Sequence, residues 1–179
     1  IAPDYSASAV HADQWVPVKV ATDAALGLSM AHVMIEEGIY NRKFVQEQTD
    51  LPLLVHVDSG RFLRESDMKS GGAEDRFYFY DSVTKAPVQA SQTTLALEKL
   101  DPALEGEFEV QGVAGKLKVT PVFARLREHL KQYVPEKAVH ICGTHPDTIR
   151  GLAQALAKAR AATCISQSNF SKFYHGIEM

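Results

Sequence analysis

Polar side chains follow two strand-like stretches of the sequence, at points where an α/β protein would bind a ligand. The first group is a loop that contains Ala2, Pro3, Asp4, Tyr5 and Ser6, and the second begins at Ser166 in the stretch SQSNFSKFYHG. In open α/β sheets, ligands bind beyond the carboxyl ends of the strands, where helix N-termini offer free N–H donors. Hydroxyl and amide groups hydrogen-bond ribose, pyrophosphate and the edges of heterocycles. The two loops therefore predict recognition of a polar cofactor.

Asp23 follows Thr22 at the start of an Ala-rich segment that extends to Tyr40. An Asp at the start of a helix is usually an N-cap. If Thr22 supplies the cap instead, the carboxylate of Asp23 is free to accept two parallel hydrogen bonds, and the N1–H and exocyclic amine of guanine present such a pair. Both interpretations of Asp23, a cap and a reader of guanine, remain open from the sequence.

The stretch HICGTH contains three residues of types that bind metals, namely His140, Cys142 and His145. Their spacing matches no standard zinc pattern. The surrounding segment KAVHICG is predicted as a short strand, on which His140 and Cys142 share one side while His145 lies in a loop. We therefore predict a structural role for this stretch, and we assign no catalytic residue and no metal ligand in the chain.

The elements that would position these groups are helices and short strands in alternation. Apolar residues from Ala24 to Ile35 predict a buried helix over 22–37, whose N-terminus faces the same cleft as the loop at Ser166. A shorter helix follows with Phe44 and Val45 inward, and two more begin near Pro121 and Pro146. With predicted strands at KAVHICG and ATCISQS, the order indicates an α/β fold that is Rossmann-like, with parallel strands and flanking helices.

The middle of the chain has a different character from its two ends. Residues 1–65 and 117–179 are predicted as two parts of an α/β cofactor-binding domain, and residues 66–116 as an inserted lobe of small strands and loops. Within this lobe, FEVQGVAGKLKV predicts a hairpin with Gly112 and Gly115 near its turn.

Composition excludes several classes of function. The 179 residues are 45% hydrophobic and 23% charged with a formal net charge of −3, which is typical of a globular protein and argues against a nucleic-acid partner. No apolar run reaches the roughly 18 residues that cross a bilayer, so direct membrane insertion is not expected. Because the sequence opens on Ile1 in the middle of a strand-like pattern, we interpret the chain as an internal fragment of a longer protein.

The first quarter of the chain resembles the molybdopterin oxidoreductases of the dimethyl sulfoxide reductase family. In that family a strand-end loop, an AD-W step, a GTD-AL turn and a long helix that ends in EEG-Y occur in this order. Here these features are Ala12 to Trp15, Ala21 to Leu26 and Glu36 to Tyr40, with Ala21 in place of the usual glycine. The stretch QTDLPLLVHVDSGRFLRESDM further resembles the nitrate reductase-like branch, which includes nitrate, selenate and chlorate reductases and ethylbenzene and dimethyl sulfide dehydrogenases.

This resemblance implies a cofactor, bis(molybdopterin guanine dinucleotide) with molybdenum, and a guanosine arm held by this chain. By similarity, Ala2 to Ser6 line the ribose and phosphate, and Ala21, Thr22 and Asp23 hold the guanine. The residues that approach the cofactor from the second loop are Ser166, Gln167, Asn169 and Phe170. The residue that coordinates molybdenum and the ligands of an iron–sulfur cluster lie in upstream segments of the family, so the fragment is expected to be inactive alone.

The resemblance also implies partners, namely the remaining domains of the catalytic subunit and an iron–sulfur electron-transfer subunit. The parent protein would be a bacterial or archaeal reductase or dehydrogenase. Members of the family occur on both sides of the cytoplasmic membrane, so the compartment stays open, and any attachment to the membrane would be through partner subunits. The alternative is a non-catalytic α/β domain that binds a nucleotide or a protein and has no cofactor in this fragment.

Overall fold

The computed structural model describes residues 1–94 and 96–163, which form two compact units. One unit holds Ile1–Tyr40 together with residues 129–163, and the other is Asn41–Glu128. The second polar loop lies outside the described residues, and with it the predicted site residues Ser166, Gln167, Asn169 and Phe170. Most of the predicted ATCISQS strand also lies outside them. No helix in the described ranges is long and apolar enough to cross a membrane.

Six α-helices and five strands are assigned in these ranges. The helices are α1 (Asp23–Glu36), α2 (Arg42–Gln48), α3 (Glu65–Met68), α4 (Val122–Leu130), α5 (Pro135–Cys142) and α6 (Pro146–Lys158). The strands are β1 (Leu54–His56), β2 (Tyr78–Asp81), β3 (Ala86–Gln89), β4 (Phe108–Gly112) and β5 (Gly115–Pro121). Two short 3-10 helices cover Ala7–His11 and Lys131–Tyr133.

Helix α1 is the centre of the first unit, where it packs against α5 and α6. Its buried residues are Ala25, Leu26, Ser29 and Val33, which recur at helical spacing and form one face. The core around this face is completed by Val18, Ala138, Cys142 and Ile149, with Met30, Tyr133 and Leu152 packed against it. The helix predicted over 22–37 is present as Asp23–Glu36, but the prediction that it is largely buried is wrong, because burial is confined to this one face.

Helix α5 occupies the segment KAVHICG, so the prediction of a strand there is wrong. Pro135 stands in the first turn, where its fixed φ suits a helix and its missing N–H costs nothing. The helix ends at Gly143, whose φ of 79° is the left-handed conformation that terminates many helices. Ala138 and Cys142 are both fully buried because residues four apart share a helix face. An apolar run of this length does not distinguish a strand from a buried helix.

The second unit is built from antiparallel hairpins. Three strands pair in the order β1-β5-β4, and β2 pairs with β3. The predicted hairpin at FEVQGVAGKLKV is confirmed, since Gly112 pairs with Gly115 across a two-residue loop. Leu54, Leu63, Val110 and Val119 form its core.

Phe44 does not point inward as the sequence predicted. Its side chain is 55% exposed on α2, a helix with no buried residue. The pattern was wrong because a seven-residue helix offers too few turns to define an apolar face.

The mixture of helices and strands is confirmed, but the Rossmann-like parallel layer is not. Both sheets in the described part of the chain are antiparallel, and consecutive strands such as β4 and β5 are joined by tight hairpins, which a parallel pair does not allow. The parallel layer was predicted from two segments. One of them is helix α5, and the other falls mainly on residues outside the described ranges.

Ser29 gives a first testable prediction, because its hydroxyl is fully buried in α1 and has no hydrogen-bond partner among the described residues. Removing a buried hydroxyl that lacks a partner removes its desolvation cost, and alanine is the better helix former. We expect Ser29→Ala to raise the free energy of unfolding by about 1 kcal/mol. Urea unfolding of variant and wild type measures the change, and a clear loss of stability would mean that the hydroxyl has a partner.

Candidate functional site

The site begins with a tight turn that leads into α1. The backbone N–H of Thr22 donates to the carbonyl of Lys19 at 3.2 Å and closes the turn. Ala21, the third residue of the turn, has a φ of 62°. This left-handed conformation brings Cβ close to the following carbonyl and costs roughly 1–2 kcal/mol for a residue other than glycine. The turn therefore holds a strained residue directly before the helix.

Thr22 stands at the N-cap position of α1, but its side chain does not cap the helix. The hydroxyl donates back to the carbonyl of Lys19 at 2.6 Å. Asp23 is the first residue of the helix, so it is not the N-cap. Asp23 is half-buried, and its carboxylate makes no hydrogen bond or ion pair with the described residues. One of the two interpretations of Asp23, the helix cap, is therefore wrong.

The loop over residues 2–6 is tied to the segment that precedes the turn. The N–H of Ala2 donates to the carbonyl of Val16 at 3.1 Å, and Nε1 of Trp15 donates to the carbonyl of Asp4 at 3.2 Å. The rings of Tyr5 and Trp15 meet edge to face with centroids 5.6 Å apart. Ala2 is half-buried, and the four predicted residues after it are exposed: Pro3, Asp4, Tyr5 and Ser6.

An open groove of about 460 Å³ lies in the first unit; of the predicted site residues Pro3 lines it, whereas Ala21, Thr22 and Asp23 do not. Its volume lies within the usual range of ligand pockets. The residues that line it are Pro3, Pro17, Val18, Lys19, Val20, Cys142 and Gly143. The structure thus brings Pro3 of the loop and Val20, the neighbour of Ala21, to one place. The other lining residues were not predicted from the sequence, although Val16 and Val18 alternate with polar or exposed neighbours as in a strand.

The floor of this groove is formed where residues 17–19 lie along the end of α5. The N–H of Lys19 donates to the carbonyl of Cys142 at 2.9 Å, and its ammonium group donates to the carbonyl of His140 at 3.3 Å. The hydroxyl of Thr144, a residue only 2% exposed, donates to the carbonyl of Pro17 at 2.8 Å. A Cβ added to Gly143 would lie 3.3 Å from Cε of Lys19, so a glycine lets the lysine stem approach closely.

The residues of HICGTH have structural partners. Cys142 is fully buried in the core beneath α1. His145 is the N-cap of α6, and its Nδ1 accepts the N–H of Asp147 at 3.2 Å. In the described part of the chain, no group of three or more His, Cys, Asp or Glu side chains could hold a metal ion. These residues therefore form the connection between α5 and α6.

An ion pair joins the first turn of α5 to α6. The guanidinium of Arg150 on α6 donates to the carboxylate of Glu136 on α5. This hydrogen bond lowers the pKa of Glu136, and it raises the pKa of Arg150. Both charged forms are thereby favoured. The ion pair thus joins the first turn of α5 to α6, at the opposite end of α5 from the carbonyls that bind Lys19.

Comparison with known proteins gives a consistent set of relatives. No protein-family model matches the chain. It is 41% identical over 183 residues to dimethylsulfide dehydrogenase subunit alpha of Rhodovulum sulfidophilum, which covers 99% of the chain. It is 38% identical over 184 residues to chlorate reductase subunit alpha of Ideonella dechloratans, again over 99% of the chain. It is 34% identical over 188 residues to respiratory nitrate reductase subunit alpha of Haloferax mediterranei, over 96% of the chain. The chain spans 20%, 20% and 19% of the lengths of these relatives.

Proposed function

Because this chain belongs to the dimethyl sulfoxide reductase family of molybdoenzymes, together with the alpha subunits that it matches, we propose that it binds part of a molybdopterin cofactor. The parent protein would be a molybdenum-dependent oxidoreductase. This chain would supply one cofactor-binding segment of its alpha subunit. The remaining segments of the subunit and an iron–sulfur electron-transfer subunit would be its partners.

The part of the cofactor that we assign to this chain is a guanosine arm of bis(molybdopterin guanine dinucleotide). The observation that carries this proposal is Asp23, a half-buried residue at the start of α1 whose carboxylate is unpaired within the described residues. A carboxylate with two free oxygens is complementary to the N1–H and the exocyclic amine of guanine, which point in the same direction. Pairing with the base would satisfy both oxygens.

A groove in the same unit as Asp23 has a volume and a lining that suit part of a nucleotide. The groove of about 460 Å³ is bordered by Lys19 and Val20, in the turn that leads to Asp23. Its apolar lining can contact a sugar or a base, and the exposed loop with Asp4, Tyr5 and Ser6 offers polar groups nearby in the chain. Bound cofactor would supply redox chemistry at molybdenum, whereas the residues of this chain would bind and orient the nucleotide end.

Replacement of Asp23 tests this proposal. In the complete alpha subunit, Asp23→Asn keeps the shape of the side chain but replaces one acceptor oxygen by an NH2 group. This NH2 group would face an N–H donor of guanine, so one of the two hydrogen bonds would be lost. We expect the change to weaken cofactor retention by about 1–3 kcal/mol. The measurement is the molybdenum and guanine content of the purified subunit, alongside its melting temperature.

Asp50→Asn is a matched control, because Asp50 is an exposed carboxylate in the second unit. This variant should retain the wild-type content of molybdenum and guanine. If Asp23→Asn also retains both, the guanosine proposal is wrong, and the alternative of an α/β interaction domain without a nucleotide gains support.

A further inference from the structure

We propose that Thr22 and Lys19 are positioning residues that fix the direction of the Asp23 carboxylate, and that Thr22 does not use its side-chain donor on the nucleotide. This inference rests on the proposed function, in which Asp23 binds guanine. It assigns different roles to Asp23 and to the turn that precedes it. Asp23 would bind the base, and Thr22 and Lys19 would hold Asp23 in its orientation.

The hydroxyl of Thr22 is already engaged within the turn. Its single proton is donated to the carbonyl of Lys19 at 2.6 Å, and the same carbonyl accepts the backbone N–H of Thr22 at 3.2 Å. The two bonds together fix both the backbone and the side-chain rotamer of Thr22. Its carbonyl in turn accepts the N–H of Ala25 at 3.1 Å and begins the helix.

The strain at Ala21 explains why this turn needs such bonds. A left-handed alanine with a φ of 62° persists only where its surroundings hold it. The two hydrogen bonds to the carbonyl of Lys19 span this residue and close the turn around it. Without the hydroxyl of Thr22, the turn has a route to relax, and the first residue of α1 would change direction with it.

Lys19 anchors the same turn to the end of α5. The last carbonyls of a helix have no partner within the helix, and a cation near them is favourable. Lys19 provides both kinds of contact, since its N–H binds the carbonyl of Cys142 and its ammonium group binds that of His140. Its stem passes close to Gly143, where a side chain would interfere. The turn is therefore fixed at one end to α5 and at the other to α1.

Direction matters because a guanine pair consists of two parallel hydrogen bonds, and hydrogen bonds weaken steeply as their angle departs from linearity. Inosine diphosphate is a suitable probe, because hypoxanthine retains N1–H and lacks the exocyclic amine. The ratio of the affinities for guanosine and inosine diphosphates then reports whether the second oxygen of Asp23 is aligned. A general loss of structure would weaken both nucleotides alike and leave the ratio unchanged.

The experiment measures both affinities in the complete, cofactor-free alpha subunit. Thr22→Val keeps the branched shape and removes the donor, and we expect it to lower the preference for guanosine diphosphate about fivefold, the effect of one net hydrogen bond. Thr22→Ser restores the hydroxyl and should restore the preference. Thr49→Val is the matched control, because the hydroxyl of Thr49 donates to the carbonyl of Val45, also at 2.6 Å, in the second unit.

Lys19→Met is a second, independent variant, which keeps most of the stem and removes the ammonium group. It should also lower the preference. If Asp23→Asn retains the wild-type preference, the proposed function itself fails. If Asp23→Asn loses the preference while folded Thr22→Val and Lys19→Met retain it, only the positioning inference is overturned. If neither of these two variants folds while Thr49→Val does, both residues are structural supports, and the inference is also overturned.

Discussion

Replacement of Ile149 by Ala is expected to lower the free energy of unfolding of the first unit by about 2–4 kcal/mol. Ile149 is fully buried on α6, in the same cluster as Leu26 of α1 and Cys142 of α5. Truncation of a buried isoleucine loses the transfer free energy of the removed groups and leaves a cavity, because the surrounding helices relax only in part. Since α1 carries Asp23, loss of this core would also loosen the candidate site.

The matched control for this prediction lies on the same helix. Leu156 of α6 is 46% exposed, so Leu156→Ala removes a side chain of similar size from a position that is half in water. We expect it to cost less than about 1 kcal/mol. Urea unfolding of the chain, followed by circular dichroism, gives both values. Equal losses in the two variants would contradict the packing of α6 that the structure describes.

Replacement of Asp81 by Asn is expected to destabilise the second unit by about 3 kcal/mol. The carboxylate of Asp81 is fully buried, and its two oxygens accept the backbone N–H groups of Thr84 and Asp101, each at 2.8 Å. An asparagine offers only one oxygen, so its NH2 group would face one of the two backbone N–H groups. Two buried donors would then point at each other, and neither would have an acceptor. The hairpin of β2 and β3 and the segment at Asp101 would lose their common acceptor. Asp75→Asn, an exposed carboxylate of the same unit, should have little effect.

The pH dependence of stability provides a separate measurement on Asp81. Burial alone would raise its pKa, but hydrogen bonds from the backbone of Asp101 and Thr84 outweigh burial and lower the pKa from 3.8 to about 2. A carboxyl with a lower pKa in the folded state stabilises the fold above the unfolded pKa, and this contribution is lost as the pH falls from 3.8 toward 2. The loss corresponds to about 2 kcal/mol. Wild type should therefore lose more stability than Asp81→Asn between pH 5 and pH 2, and parallel profiles would refute this role.

Local patterns were sufficient to predict several elements of the fold. The Thr-Asp start followed by helical spacing predicted α1, and Gly112 with Gly115 predicted the hairpin of β4 and β5. Each signal is local, because its residues lie close together in the chain. Helix α5 was mistaken for a strand, since its apolar residues are too few to define a period. Its two signals were the proline at its start and the glycine after it, and both were visible in the sequence.

The candidate site was predicted only in part for a different reason. Ala21, Thr22 and Asp23 are consecutive, so their proximity at the start of α1 could be inferred from the sequence. The anchoring of Lys19 depends on the carbonyl of His140, which is 121 residues away in the chain. No local pattern predicts such a contact, because it exists only when α5 packs beside residues 17–19. The groove follows from the same packing.

The edge-to-face contact of Trp15 with Tyr5 has an optical consequence. Trp15 is the only tryptophan in the 179 residues, and its indole N–H is bound to the loop at Asp4. Tryptophan emission from this chain therefore originates at one place, beside the loop that contributes Pro3 to the groove. The second unit contains no tryptophan, so its residues contribute no tryptophan emission. The molecule thus contains its own fluorophore at the margin of the candidate site, with no label to attach.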